Sequence, residues 1–439
     1  AGGKSTVLFR LAQEIVAAGA RVVTTTTTRM FFAQTEQAPA RILLPAGDTS
    51  ENHLPWSELV ETLAVHRHCL LAGPPVGDKV AGLAPETVDG LVDRAAELGL
   101  AAILVEADGA RQRPVKAPAE YEPQLPTSTT HLIPVLGVDG VGARLDEPLV
   151  HRPERLRRLL GVEDPDARLT PEMAARLLLH PQGGAKGCTA DMQFMPLLNK
   201  ADPPPRLAAA RIAARILASR QQAACITAVG RPRGEPVLER WGPTAAVVLA
   251  GGASRRMGRL KQLLRLDDEP LVVRAARLAL ESDPDQVLVV TGASGDRIAE
   301  ALQGLRNTVG PRLQLVHNPA WTGGQSTSVT AAVNALSPET QAALFLPVDQ
   351  PLLPVALLRR LWCAWRQGGD LVAVSVDGVV RGAPAVFDRR FFHALTRLEG
   401  DRGARNLLRT HRGEIHTVSA QAAWLQDVDT PEDWRGLQG

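Results

Sequence analysis

The chain has 439 residues, a formal net charge of +2 at pH 7, 45% hydrophobic residues and 22% charged residues. This composition is typical of a globular protein, and the length favours two domains, because a domain usually holds roughly 100–200 residues. Nucleic-acid binding is not expected, since no Lys/Arg block is interleaved with aromatic residues. A membrane span is not expected either, since no apolar run approaches the ~18 residues that it needs.

The cysteines are too far apart to act together. They form no CxxC pair and occupy positions Cys69, Cys188, Cys225 and Cys363. This spacing fits neither a zinc site nor a disulfide framework and suits a reducing cytosol, so we expect a cytoplasmic protein. We recognise no signal peptide. The sequence begins at Ala1 without Met, inside what resembles a motif, and we therefore expect a segment upstream of it.

The first half alternates short apolar or β-branched runs with stretches rich in Ala, Leu and Arg. Such runs predict strands, and apolar residues at helical spacing predict helices. In chain order the pattern predicts a helix over 7–18, a strand over 21–28, a helix over 91–98, strands over 101–106, 131–138 and 194–198, and a helix over 206–220. Pro, Gly and charged residues then concentrate in 231–243, which predicts a linker over 233–243.

The second half restarts the alternation. The predicted strands are 245–250, 286–291, 313–317, 343–348 and 371–376, and the predicted helices are 271–281, 296–302, 326–336 and 356–366. Strands and helices in turn indicate a mostly parallel sheet with helices on both faces. We therefore predict an α/β protein of two three-layer domains, one over 1–232 and the other over 244–439.

A Gly-rich loop follows the first strand of the second half, with the sequence Ala-Gly-Gly-Ala-Ser-Arg-Arg-Met-Gly-Arg-Leu-Lys over 250–261. Ligands of open α/β sheets bind at the carboxyl ends of strands. Glycines let the backbone approach phosphate oxygens closely and turn its N–H groups toward them. Arg256 and Lys261 add positive charge, which a triphosphate and a leaving pyrophosphate both require. A solvated Gly-rich connection is the less favoured alternative.

Carboxylates follow in two places. Asp349 ends the apolar run 344–348 and is flanked by Pro347 and Pro351. A carboxylate at a strand end beside a triphosphate is a suitable oxygen ligand for Mg²⁺, although a lone Asp there is more often a turn or cap residue. Asp427 and Asp429 lie on one side of an extended segment, so one or both could complete the metal site. The Thr-Pro-Glu-Asp run from 430 also predicts a helix start.

These residues resemble the signature of the molybdenum cofactor nucleotidyltransferases. The similarity continues in the family's order through 324–328, 347–351, 382–384 and the Gly-Asp-Arg-Gly-Ala-Arg run over 400–405. The cytidylyltransferase branch fits better than the guanylyltransferase branch, which usually has Asp where this chain has Leu260 and a Gly-Pro-Leu-type segment in place of 324–328. The Gly-Gly pair over 251–252 is closer to the guanylyl form. The resemblance implies a Rossmann-like domain of the nucleotide-diphospho-sugar-transferase type.

The implied reaction joins the terminal phosphate of molybdopterin or Mo-molybdopterin to the α-phosphate of CTP, and pyrophosphate leaves with Mg²⁺. The protein then mainly positions groups and neutralises charge. The resemblance implies catalytic roles for Arg256, Lys261 and Asp349. It implies metal binding by Asp349 with Asp427 or Asp429. The nucleotide would bind at Leu249, Ala250, Gly251, Gly252, Ser254 and Gly258, and the pterin at Gln325, Ser326, Ser328, Gly382 and Pro384.

The chain itself opens with Ala-Gly-Gly-Lys-Ser-Thr over 1–6, which matches the end of a P-loop and leads into a helix. In a complete loop Lys4 would reach the outer phosphates and Ser5 would bind Mg²⁺, with Gly3 and Thr6 beside them. The strand 103–106 ends in carboxylates at Glu106 and Asp108. An Asn-Lys-x-Asp run adds Asn199, Lys200 and Asp202, a pattern by which GTPases recognise guanine. GTP or ATP is the nucleotide expected here, at low affinity while the loop is incomplete.

The first half also resembles the accessory proteins of selenium-dependent molybdenum hydroxylases. The similar segments keep the family's order and cover most of residues 1–205. They are 1–6, 24–30, 105–111, 116–123, 151–154 and 198–202. This resemblance implies a P-loop NTPase-like domain and a molybdenum hydroxylase as a partner, and it names a pathway more than a reaction. A scaffold that binds partners without nucleotide is the alternative for this half.

Other functions stay open for the second half. A guanylyltransferase for the same pterin and a sugar-1-phosphate nucleotidyltransferase would use the same chemistry, but Leu260 and the segment 324–328 speak against both. A non-catalytic carrier that loads cofactor into a hydroxylase belongs to another class. Such a carrier would not need Lys261 or Asp349.

Overall fold

The computed structural model describes residues 2–45, 54–146, 149–231, 234–400 and 404–438. It divides into two compact units, one of Ala1–Leu217 with Ala224–Leu238 and the other of Ala218–Ala223 with Glu239–Gly439. The domain limits inferred from the sequence stay a prediction. The segment expected to be a linker contains the strand Val237–Trp241, while its residue 233 lies outside the described residues, as do residues 401–403 of the Gly-Asp-Arg-Gly-Ala-Arg run.

The first unit alternates helices with strands. Its helices are α1 Lys4–Ala17, α2 Phe32–Thr35, α3 Trp56–His66, α4 Pro85–Asp93, α5 Ala95–Leu98, α6 Pro153–Leu160, α7 Pro171–Leu179 and α8 Pro204–Ser219. Its strands are β1 Arg21–Thr26, β2 Met30–Phe31, β3 Arg41–Leu43, β4 His68–Ala72, β5 Pro75–Val76, β6 Lys79–Val80, β7 Leu100–Glu106, β8 Val115–Lys116, β9 His131–Leu132, β10 Val135–Gly137, β11 Val150–His151, β12 Gln193–Phe194, β13 Leu197–Asn199, β14 Ala224–Thr227 and β15 Val237–Trp241.

Two four-stranded sheets carry this unit. One has the order β3-β4-β1-β7, with parallel pairs throughout, and the other has the order β10-β13-β14-β15. Helices cover both faces of the first sheet, because Val23 and Leu71 pack with α3 and α4 residues while Leu70 packs with Phe9 of α1. The edge strands β7 and β10 line a largely apolar cavity of about 630 Å³. The first unit therefore has two main sheets.

Two strands predicted as single runs are each divided by a proline. The predicted strand 131–138 becomes β9 and β10, separated at Pro134, and the predicted strand 194–198 becomes β12 and β13, separated at Pro196. Proline has no N–H for a ladder and fixes φ, so a strand turns or ends there. The first pieces of the two divided strands, β9 and β12, pair with each other, and so do the second pieces, β10 and β13.

The second unit is built on one seven-stranded sheet with the order β20-β19-β16-β21-β23-β22-β24. Its strands are β16 Thr244–Leu249, β17 Arg265–Leu266, β18 Glu269–Pro270, β19 Gln286–Thr291, β20 Leu313–His317, β21 Ala342–Pro347, β22 Leu371–Val376, β23 Val379–Asp388 and β24 Ile415–Ser419. Its helices are α9 Leu271–Glu281, α10 Gly295–Val309, α11 Gln325–Asn334, α12 Val355–Arg366, α13 Phe392–Leu395, α14 Arg405–Thr410 and α15 Pro431–Gln438.

Each central strand is buried on both faces. In β16, Ala246 and Val248 pack with residues of α9 and α12, while Val247 packs on the opposite side with residues of α11 and α14. Alternate side chains of a strand point to opposite faces, so this unit has a helix–sheet–helix arrangement. The predicted α/β fold class is confirmed. Within the described residues, no helix is long and apolar enough to cross a membrane.

The sheet order also places the ligand-binding edge. β16 pairs in parallel with β19 on one side and with β21 on the other. The chain passes from β16 to β19 and β20 and then returns to the far side of β16 with β21, so the order of strands reverses at β16. Ligands of open α/β sheets bind at such reversal points, beyond the carboxyl ends of the strands. The Gly-rich loop and Asp349 both follow these strand ends.

Candidate functional site

The Gly-rich loop begins directly after β16. Its first residue still belongs to the sheet, since the Ala250 amide donates to Val290 O at 2.9 Å. Met257, 4% exposed, anchors the far part of the loop in the core. Ser254 has a positive φ value of 53°, so the backbone turns sharply between these two fixed points, and Gly258, with φ 71°, turns it again just after Met257. Leu249 and Ala250 therefore hold the loop through the sheet, and Met257 holds it through the core.

Two glycines of this edge lie in close contact with neighbouring elements. A Cβ on Gly251 would lie 3.0 Å from Ser328 Oγ, and a Cβ on Gly292 would lie 2.4 Å from Gly251 O. The second distance is shorter than any tolerable contact, so Gly292 has to lack a side chain for the loop to lie where it does. Ser328, predicted on the pterin side, is thereby placed against the first turn of the loop.

Lys261 connects the loop to the acidic residues. Its ammonium group contacts Asp349 Oδ2 and lies 3.2 Å from Asp429 Oδ1, while Arg256 Nη2 lies 2.8 Å from Asp429 Oδ2. Burial opposes the charged form of Lys261, but the two carboxylates outweigh it and raise the pKa of this lysine. The Lys261 side chain is 16% exposed, whereas that of Arg256 is 72% exposed. The structure thus brings together four residues predicted from separate parts of the sequence.

Backbone contacts fix the two carboxylates relative to each other. The Val428 amide donates to Asp349 O at 2.9 Å, which ties the segment before α15 to the end of β21. Asp433 Oδ2 accepts from the amides of Asp429 and Thr430 at 3.0 and 2.8 Å, and Thr430 Oγ1 accepts from the Asp433 amide at 3.2 Å. This reciprocal pair caps the N-terminus of α15. The Thr-Pro-Glu-Asp run therefore starts a helix and also sets the backbone of Asp429.

The donor set fits a divalent cation. Asp349 and Asp429 each direct one oxygen at the Lys261 ammonium, so their oxygens converge on one positive charge. Asp427 is directed elsewhere, because its Oδ1 accepts from Gln350 Nε2 at 3.0 Å. Among the described residues, no group of three or more His, Cys, Asp or Glu has a metal-binding arrangement. Mg²⁺ commonly takes one or two carboxylates together with substrate phosphates, so two are enough.

Burial and neighbouring charge distinguish Asp427 from the other two carboxylates. Desolvation, with the negative charges of Asp349 and Asp429, raises the pKa of Asp427, although the Gln350 amide opposes the shift. Asp427 therefore holds its proton to a higher pH than an ordinary Asp. Of the three predicted metal ligands, Asp349 and Asp429 have the better geometry.

The residues predicted for the pterin side lie at two elements. Gln325, Ser326 and Ser328 occupy the first turn of α11, where Ser326 is 2% and Ser328 is 7% exposed. Asn318, also buried, donates to Thr327 Oγ1 at 2.8 Å and to Ser328 Oγ at 3.0 Å. The Asn318 side chain thus fixes the first turn of α11 through two hydrogen bonds.

Gly382 and Pro384 lie on β23, which runs antiparallel to β21. Their neighbour Ala385 pairs with Phe345, so the residues before it lie beside the end of β21 that leads to Asp349. A Cβ on Gly382 would lie 3.2 Å from Arg405 Nε. The sheet therefore places this pair at the same edge as the acidic residues, with an arginine next to it.

The first unit has its own charged cluster at the start of α1. Lys4 Nζ lies 2.7 Å from Asp108 Oδ1, and Ser5 Oγ donates to Glu106 Oε2 at 2.6 Å. Burial raises the pKa of Glu106 despite the opposing effects of Ser5 and Lys4. The pKa of Asp108 is lowered instead, because the charges of Lys4 and Lys116 outweigh the effect of burial. Thr6 points outward and is exposed.

The three polar residues of the Asn-Lys-x-Asp run have different partners. Asn199 is buried and donates to Gly2 O at 2.8 Å, while its Oδ1 accepts from Thr227 Oγ1 and the Val229 amide. A Cβ on Gly3 would meet Asn199 Nδ2 at 2.4 Å, and Gly3 has φ 96°, so glycine is required there. Lys200 pairs with Asp139 at 2.8 Å, and Asp202 pairs with Arg231 at 3.4 Å. Asn199 thus supports the Gly2–Gly3 backbone.

Three residues of these sites are absent from the sequence-based prediction. They are Gln262, Gly292 and Asn318, which support the loop, make room for it and hold α11, respectively. Gln262 directly follows Lys261, so its place beside the signature was a usable signal. Gly292 and Asn318 follow the strands β19 and β20, where residues of a ligand-binding edge are expected.

Two family models match different parts of the chain. Residues 246–416 match the MobA-like NTP transferase domain family, and residues 1–154 match the YqeC protein family. The uncharacterized protein YqeC of Escherichia coli is 38% identical over 186 residues, which cover 42% of this chain and 68% of that protein. Both family resemblances found in the sequence are therefore confirmed.

Two relatives of the second half are named as nucleotidyltransferases of the molybdenum cofactor. A "probable molybdenum cofactor guanylyltransferase" of Synechococcus elongatus is 33% identical over 208 residues, covering 44% of this chain and 97% of that protein. The molybdenum cofactor cytidylyltransferase of Escherichia coli is 26% identical over 190 residues, covering 43% of this chain and 92% of that enzyme. The chain is thus a nucleotidyltransferase that belongs to the MobA-like NTP transferase family through its second half and to the YqeC family through its first half.

Proposed function

We propose that the second unit transfers CMP from CTP to the terminal phosphate of molybdopterin or Mo-molybdopterin and releases pyrophosphate. The arrangement that carries this proposal is Lys261, at the end of the Gly-rich loop, between Asp349 and Asp429. A Gly-rich loop, a mostly buried cation and two carboxylates are what an enzyme needs to hold a triphosphate and neutralise its leaving group. The transfer asks for positioning and charge more than for covalent chemistry.

The reaction is a displacement at the α-phosphorus. An oxygen of the acceptor phosphate forms the new P–O bond, the bond from the α-phosphorus to the bridging oxygen breaks, and pyrophosphate takes the electron pair. Residues 251–258 hold the triphosphate through backbone N–H groups, and Lys261 with Arg256 stabilises the charge that builds on the leaving oxygens. Asp349 and Asp429 would hold a divalent cation, which neutralises phosphate charge when it is bound.

CTP is favoured over GTP by two positions at which the chain resembles the cytidylyl branch. Leu260 precedes the signature lysine, and Gln-Ser-Thr-Ser over 325–328 opens α11 next to Gly251. GTP is the second candidate, because the guanylyltransferase of Synechococcus has the higher identity and the Gly251–Gly252 pair is closer to that branch. The two candidates share the whole mechanism and differ in the base.

For the first unit we propose a nucleotide site at Lys4 and Ser5, with GTP or ATP as its ligand and a molybdenum hydroxylase as the partner of the chain. The supporting observation is the pairing of these two residues with Asp108 and Glu106. A carboxylate pair beside a helix N-terminus suits a phosphate group with its cation.

The test is pyrophosphate release by the full chain with Mg²⁺ and molybdopterin, with and without molybdate, comparing CTP, GTP and ATP. We expect release with CTP that depends on the pterin. Asp349→Ala should lower the rate about 100-fold or more, since the variant loses a carboxylate that would hold the divalent cation, and that cation offsets phosphate charge in the transition state. Glu300→Gln, which removes an exposed carboxylate on α10, is the matched control and should keep the wild-type rate.

Each alternative gives a distinct result. Release with GTP and not with CTP would keep the family and change the base. Release with neither pterin form, but with a sugar 1-phosphate, would replace the acceptor. No release with any nucleotide would contradict the proposed function and favour a carrier role.

A further inference from the structure

Gln262 is a buried amide that no step of the proposed reaction uses. It lies in the short turn Lys261–Leu263 and is 1% exposed. Its Nε2 donates to Ala250 O at 3.0 Å and to Gly252 O at 2.6 Å, and its Oε1 accepts from Ser254 Oγ at 3.0 Å. One side chain therefore contacts the Gly-rich loop at three points.

The same network reaches Lys261. Ser254 Oγ, besides donating to Gln262, accepts from the Lys261 amide at 3.0 Å. The hydroxyl thus links the loop to the backbone of the residue whose ammonium contacts Asp349. The Gln262 amide is buried, whereas Ser254 and Lys261 are half-buried. Each group in this network is satisfied by another, so the loss of one partner would leave a desolvated polar group without a hydrogen bond.

The direction of these bonds determines where the loop's amides point. In a trans peptide the C=O and the following N–H point in opposite directions. The cis peptides of the described residues all precede proline, outside this loop. Because the oxygens of Ala250 and Gly252 point at the buried Gln262, the N–H groups of Gly251 and Ala253 point away from it. Of the residues between and beside these amides, Gly252 is exposed, Ala253 is half-buried and Gly251 is buried.

We propose that Gln262 is a positioning residue that presets the Gly-rich loop for the triphosphate by holding the carbonyls of Ala250 and Gly252 inward. The inference rests on the proposed function in taking a nucleoside triphosphate as the ligand of this loop. Without the amide, the two peptide units are free to rotate, and their N–H groups no longer converge on phosphate oxygens before the ligand arrives. Binding then has to order the loop, and affinity falls.

We expect the substitution of Gln262 to lower the affinity for the nucleotide and to leave the affinity for the acceptor unchanged. Gln262→Met keeps the length of the side chain and removes all three hydrogen bonds. The KM for the nucleotide should rise about tenfold, the magnitude of one or two net hydrogen bonds. The KM for molybdopterin should stay within about twofold, and kcat should change by less than about threefold, since Lys261 and both carboxylates remain.

Two further variants separate positioning from packing. Gln262→Glu keeps an acceptor for Ser254 but turns an ionised oxygen toward two carbonyls, so its nucleotide KM should rise at least as much as that of Gln262→Met. Gln262→Asn keeps the donors on a shorter side chain and should give an intermediate rise. Gln262→Asn is also the milder substitution if Gln262→Met does not fold, as judged by its melting temperature.

A binding measurement makes the test independent of the reaction. The Kd of inorganic pyrophosphate in the presence of Mg²⁺, measured by calorimetry on the full chain, should rise by the same factor as the nucleotide KM. Unchanged pyrophosphate affinity in folded variants, or an equal rise in both KM values, would overturn the positioning role. If the wild-type chain transferred no nucleotide, the proposed function would fail, whereas the pyrophosphate comparison would still decide the role of Gln262.

Discussion

Lys261→Met should lower kcat/KM for nucleotide transfer by about 100-fold or more, a loss of at least ~3 kcal/mol of transition-state stabilisation. The ammonium group is mostly buried between Asp349 and Asp429, where its interaction with developing negative charge is screened little by water. The carboxylates raise its pKa, so it stays protonated at every pH at which the enzyme is assayed. Steady-state pyrophosphate release at several CTP concentrations measures the effect.

Lys261 is also the only lysine in the sequence between residues 244 and 439. The other permanently charged basic residues of that segment are arginines. Lys261→Arg keeps the charge on a larger, planar group, so it should recover part of the rate and confirm that charge matters more than bulk. Arg259→Met removes an exposed cation from the same loop and is the matched control. A Lys261→Met enzyme within about threefold of wild type would exclude the assigned role.

The sequence predicted the parts of this site that depend on local pattern. Apolar and β-branched runs predicted β16 and β21, and a strand end followed by glycines or by Asp349 is a local signal. The contact of Asp349 with Asp429 through one lysine joins residues 80 positions or more apart along the chain, and it follows from the sheet order and from the capped start of α15. No local pattern carries that information.

Supporting residues were harder to predict than reacting ones. Gln262 and Asn318 act through bonds to backbone or hydroxyl groups of other elements, so their role depends on the tertiary structure. The ten-residue strand β23 was not predicted either, because Gly382 and Pro384 interrupt its pattern, and both residues disfavour strands in general. A strand with these residues still forms here because β21 and β22 pair with it on both sides.

The second large effect is expected in the first unit, where Lys116→Met should lower the free energy of unfolding by about 3 kcal/mol. The Lys116 side chain, 6% exposed, lies 2.8 Å from Asp108 Oδ2 and 2.8 Å from Glu122 Oε2. Methionine would leave the carboxylates of Asp108 and Glu122 with one cationic partner each, Lys4 for Asp108 and Arg152 for Glu122. Arg10→Met, which breaks an exposed helical pair with Glu14, should cost less than about 0.5 kcal/mol.

The stability difference between wild type and Lys116→Met should depend on pH in a defined direction. In the folded chain the pKa of Asp108 is lowered because Lys4 and Lys116 outweigh burial, and that of Glu122 is lowered because its amide, lysine and arginine partners do the same. Such groups stabilise the fold above their unfolded pKa values of about 4, and this contribution is lost as the pH falls through the lowered values. The difference between wild type and Lys116→Met should therefore be full at pH 7 and shrink below about pH 4.

Hydrogen exchange of peptides from β7 and β8 in the full chain measures this difference locally, so unfolding of the other unit does not obscure it. Glu106 works in the opposite direction, because burial raises its pKa, and it favours the folded state more at low pH than at neutral pH. Lys116 opposes this shift, so Lys116→Met should raise the pKa of Glu106 further, and this also narrows the difference between the two proteins as the pH falls. A Lys116→Met deficit that stayed constant from pH 7 to pH 3 would mean that the lysine acts by packing its carbon chain and not by pairing its charge.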